Sequence, residues 1–76
     1  MELTVEAKDV PQNLVSALTD EILRVTEIQK IYLEHPGGQF AAALMRAAIQ
    51  EAREAQASGD ILKMIPALQV LREYEL

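Results

Sequence analysis

Apolar residues recur at spacings of three and four along most of the chain. Leu14, Leu18, Ile22, Val25, Ile28 and Tyr32 form one row, widened by Val15, Leu23, Ile31 and Leu33, while Asp20, Glu27 and Lys30 fall opposite. This period predicts an amphipathic helix of about six turns. Asp9-Val10-Pro11 supplies its start. The Asp carboxylate accepts hydrogen bonds from orphan amides, and proline tolerates the first turn because its missing N–H is not needed there. The helix is expected to end near His35. Thr19-Asp20-Glu21 permits a kink, and a continuous helix is the simpler reading.

His35-Pro36-Gly37-Gly38 is the strongest breaker in the sequence. The residue before proline avoids the α region, and Gly-Gly admits positive φ. So short a connection predicts an antiparallel helical hairpin. Residues 39–57 follow without proline or glycine and are rich in strong helix formers. Phe40, Leu44, Ala48, Ala52 and Ala55 form their apolar row, with Met45 and Ile49 beside it. Gly59 then suits a left-handed helix end and Asp60 the next N-cap. Ile61, Leu62, Met64, Ile65, Leu68 and Leu71 predict a third helix running to about Tyr74, with Pro66 inside it. Proline removes the hydrogen bond to the carbonyl four residues back, so a kink or restart is expected at Ile65–Pro66.

Only the N-terminus breaks the helical period. Leu3, Val5 and Ala7 alternate with Glu2, Thr4, Glu6 and Lys8, the period-two pattern of a half-buried strand. No other segment reads as a strand. Residues 1–9 are therefore expected as a short extended arm, either unpaired or pairing with its copy or with a partner's sheet edge. Residues 10–76 make one helical domain. The expected fold is all-α: a helical hairpin, a proline-kinked third helix and the arm.

Composition alters what this fold implies. The chain has 76 residues, half of them apolar, but eleven of these are alanine, which favours helix and buries little area. Domains this small usually need disulfides, a metal or self-association. There is no cysteine, and His35 is the sole histidine, which leaves self-association. The net charge of −5 disfavours phosphate backbones, so no direct nucleic-acid binding is expected. No apolar run reaches membrane-spanning length. The first residues lack a signal peptide's basic and apolar segments, so a cytoplasmic protein is expected.

No constellation points to catalysis. His35 has no neighbouring nucleophile motif and reads as a helix C-terminal residue. Gly37-Gly38 before a helix lacks the longer glycine pattern and Lys-Ser or Lys-Thr of a phosphate loop. Asp20/Glu21, Glu51/Glu54 and Glu73/Glu75 have no Glu-x-x-His companion and read as solvated faces. No catalytic, cofactor or metal residues are assigned. The candidate contact residues are Leu3, Val5, Tyr32, Phe40, Leu44, Leu71 and Tyr74. Arg46, Gln50 and Arg53 form a polar stripe suited to an acidic partner or a phosphate.

The run from Gln56 to Ile65, Gln-Ala-Ser-Gly-Asp-Ile-Leu-Lys-Met-Ile, is preceded by Gly-Gln-Phe-Ala-Ala at residues 38–42. Together these segments resemble small accessory proteins encoded in bacteriophages and prophages, in which an Ala-Ser-Gly-Asp turn joins two helices. The resemblance covers residues 38–73 and carries no functional residue across. It implies a short protein in the cytoplasm of an infected or lysogenic bacterium. Pro66 departs from the plain helical pattern of that group.

The sequence therefore predicts a non-enzymatic helical interaction module that acts as a homo-oligomer, with a host protein as a further candidate partner. The alternative is an oligomer that sequesters a small anion or nucleotide at subunit interfaces.

Overall fold

The computed structural model describes the backbone from Glu2 to Leu76 and the side chains from Asn13 onward. The described residues form three helices and no strand: α1 (Glu2–Glu34), α2 (Gln39–Ser58) and α3 (Ile61–Arg72). The fold is all-α, and each boundary has a local cause. α1 stops ahead of Pro36, where the proline ring disfavours the α region for the residue before it. In the turn that follows, the Gly38 N–H donates to the His35 carbonyl at 3.1 Å, and Gly37 takes a φ of 84°. Gly38 is buried, and a Cβ there would collide with the carbonyl oxygen of Tyr32. α2 ends on Gly59 at a φ of 71°, whose N–H donates to the carbonyls of Ala55 and Gln56. Asp60 is the N-cap of α3, its carboxylate accepting the Leu62 N–H at 3.0 Å.

Two expectations give way. The strand-like alternation at the N-terminus does not produce an extended arm, because α1 is helical from Glu2. A strand needs a neighbour to take up its N–H and C=O groups, whereas a helix satisfies them within the segment. The side chains of Leu3 and Val5 lie outside those described. Of the two outcomes expected at Pro66, a kink or a restart, the restart does not occur: α3 runs through Pro66 as one helix. The Leu62 carbonyl loses its helical donor there, and because Leu62 and Pro66 are both exposed, water can take the donor's place.

The core is one layer of side chains shared by all three helices. Leu18, Ile22, Val25 and Ile28 come from α1; Met64, Leu68 and Leu71 come from α3. α2 contributes Met45 and Ile49, but its other buried residues are Ala42, Ala48, Ala52 and Ala55. Polar side chains fasten the seams. Gln29 Nε2 donates to the Ala42 carbonyl at 3.3 Å, and Gln56 Nε2 donates to the Val15 carbonyl at 3.0 Å and the Thr19 hydroxyl at 2.6 Å. Residue numbers thus rise along α1 as they fall along α2, so α2 returns along α1.

Arg24 ties α3 to α1. Its Nη1 donates to the Tyr74 carbonyl at 2.8 Å, its Nη2 to the Leu71 carbonyl at 3.0 Å, and its Nε to Glu21 Oε1 at 3.0 Å. A cation at the C-terminal end of a helix satisfies carbonyls that have no intrahelical donor and meets the negative end of the helix dipole.

Removing this clamp by Arg24→Ala should cost about 1–2 kcal/mol, since charged hydrogen bonds are involved but the group is part-exposed. Amide exchange near Leu71–Tyr74 should accelerate before exchange elsewhere; uniform acceleration would show that Arg24 does not act locally. Gly38→Ala should cost roughly 1–3 kcal/mol from the forced shift against backbone. The urea midpoint should fall with an unchanged slope, and an unmoved midpoint would mean that the turn relaxes freely.

Candidate functional site

Two surfaces combine residues from different helices. The first follows from the phase of the core. On α2, Phe40, Leu44, Ala47 and Glu51 fall at helical spacing along one flank of the face that turns Ala48, Ala52 and Ala55 inward. All four are exposed, Phe40 by 75%. Once α3 turns Met64, Leu68 and Leu71 inward, Leu62, Pro66 and Val70 form an outward row at intervals of four. Leu62 is 81% exposed. Between α2 and α3 runs a groove lined by Glu51, Glu54, Leu62, Lys63, Pro66 and Val70; Phe40 and Leu44 lie outside it. Its floor is apolar, and it carries two carboxylates on the α2 wall and one ammonium on the α3 wall.

The second surface is polar. Arg46, Gln50 and Arg53, singled out as a stripe, line a groove with Thr26 and Gln29 of α1. Leu33 and Ala43 border its continuation toward the hairpin turn. The ion pairs among the described residues are Glu21–Arg24 and Glu27–Lys30. Neither arginine of this groove takes part in one.

The candidate contact residues therefore separate. Phe40 and Leu44 lie in the open, on one α2 row. Leu71 is wholly buried in the chain's own core, where its fit between helices leaves nothing to offer a partner. Tyr32 and Tyr74 are half-buried and pack against that core. Leu62, Pro66 and Val70 were not chosen from the sequence, although a signal existed: with Met64, Leu68 and Leu71 taken as the inward row of α3, these three fall on the far side.

His35 is exposed on the turn, and its backbone N–H donates to the Tyr32 carbonyl at 3.2 Å. Among the described residues no group of three or more His, Asp or Glu side chains is placed to hold a metal ion. No helix among them is long and apolar enough to cross a membrane. No protein-family model, curated protein or solved structure matches the chain.

Proposed function

We propose that this protein is a non-enzymatic helical interaction module that works in the cytoplasm as a homodimer, formed through the α2–α3 face. One observation carries the reading: α2 and α3 both leave large apolar side chains exposed, Phe40 and Leu44 on α2 and Leu62 and Val70 on α3, with Leu62, Pro66 and Val70 lining the groove between the two helices. Fully burying a side chain of this kind contributes about 1.5–3 kcal/mol, so covering this face with a partner would add hydrophobic stabilisation that the monomer lacks.

A second copy suits this face. A two-fold contact is self-complementary by construction. It lays the Leu62–Pro66–Val70 row of one chain on the Phe40–Leu44–Ala47 row of the other, and the Lys63 ammonium of each chain comes near the Glu51 and Glu54 carboxylates of its partner. The resemblance of residues 38–73 to small phage accessory proteins supports a host protein as the eventual target of the dimer.

Phe40→Ser combined with Leu62→Ser removes the two most exposed anchors without touching the core. Light scattering at matched concentrations should show the dimer dissociation constant raised at least about tenfold, the loss of roughly 1.4 kcal/mol or more, with the helical content by circular dichroism unchanged. A variant that keeps the parent's molar mass at every concentration would remove this face from the account.

A further inference from the structure

The α1–α2 groove has its own charge pattern. Gln39, Arg46 and Arg53 recur every seven residues along α2, and all three are exposed. On α1, Asp20, Glu27 and Glu34 recur at the same interval and are also exposed. Seven residues advance a helix by about 10.5 Å and return to nearly the same face. Each set is therefore a straight row of equal pitch, one cationic with a leading amide and the other anionic. Within one chain the rows do not meet: Glu27 pairs weakly with Lys30, while Asp20, Glu34, Arg46 and Arg53 enter no ion pair among the described residues.

We infer that the α1–α2 groove is a second self-recognition surface, in which the Gln39–Arg46–Arg53 row of one copy receives the Asp20–Glu27–Glu34 row on α1 of another. The inference does not rest on the α2–α3 contact. Charge complementarity selects the occupant. The chain carries a net charge of −5, yet this groove presents two arginines with the side chains of Thr26, Gln29 and Gln50 around them. An incoming acidic helix finds guanidinium groups at its own carboxylate spacing. Leu23 sits between Asp20 and Glu27 on the incoming helix and is 61% exposed. It would be covered as the rows engage, near Leu33 and Ala43 at the groove edge. Exposed ion pairs are individually weak and are screened by salt, so this contact is a reversible link between copies.

The test is a complementary charge reversal in the full chain carrying Phe40→Ser and Leu62→Ser, which isolates it from the apolar face. One variant adds Arg46→Glu and Arg53→Glu; the other adds Asp20→Lys and Glu27→Lys. All changes are on exposed positions, and circular dichroism checks that each chain stays folded. Sedimentation velocity is run at about 20 mM and about 500 mM sodium chloride, conditions that bracket strong and weak screening. The parent should associate at low salt and lose roughly tenfold or more of that association at high salt. Each reversed chain alone should sediment as a monomer, and an equimolar mixture of the two should associate again. A reversed chain that associates as well as the parent, or a folded mixture that stays monomeric at low salt, overturns the inference. So does inorganic phosphate binding to the arginines with no association of the parent at either salt concentration.

Discussion

The inward face of α2 sets the terms for everything around it. Ala42, Ala48, Ala52 and Ala55, with only Met45 and Ile49 as larger side chains among them, keep the buried face of the helix shallow, so α1 and α3 can pack the larger side chains of Leu18, Val25, Met64 and Leu71 against it. Close approach improves dispersion contact but supplies little apolar area. A three-helix unit built this way holds its shape with a thin core and depends on its seams. Arg24, Gln29 and Gln56 therefore join helices by reaching backbone carbonyls, which fixes helix position without needing volume. The turn at Gly38 has the same logic, since the first residues of α2 can come down on the end of α1 only because no Cβ stands against the Tyr32 carbonyl.

The same phase of α2 decides what is left outside. Phe40 and Leu44, at the edge of the α2 face that buries the alanines, stay exposed, and the phase of α3 exposes Leu62 and Val70. The apolar capacity of the chain is thus divided between a lean interior and a face with no partner in the monomer. The form is elongated for a separate reason: α1, with 33 residues, spans about 50 Å and overhangs the shorter α2 and α3. The proposed self-association would cover the exposed face.

Much of this was legible in the sequence where the chemistry is local. Pro36 ends a helix, Gly59 takes the left-handed conformation and Asp60 caps the next helix because each choice is made by a residue and its immediate neighbours. The α1 row was legible because large aliphatic residues dominate its buried face. α2 was harder: Phe40, Leu44, Ala48, Ala52 and Ala55 read as one row, whereas the structure buries its alanines together with Met45 and Ile49 and leaves Phe40 and Leu44 exposed. Leu71 could not be told from an interface residue because apolar character does not say which side of the chain's own core a residue joins. Arg24 gave no signal at all, since its acceptors lie 47 and 50 residues away and are backbone carbonyls. The N-terminal alternation misled because a period of two favours a strand only when another strand is there to pair with.

The central claim, that this fold is completed by a second copy of itself, is tested most directly by thermal unfolding across a hundredfold range of protein concentration. If folding and dimerisation are linked, the midpoint rises steadily with concentration, because the associated state gains by mass action over the unfolded chain. A midpoint that stays constant across the whole range, with a single cooperative transition, would show a self-sufficient monomer and contradict the account.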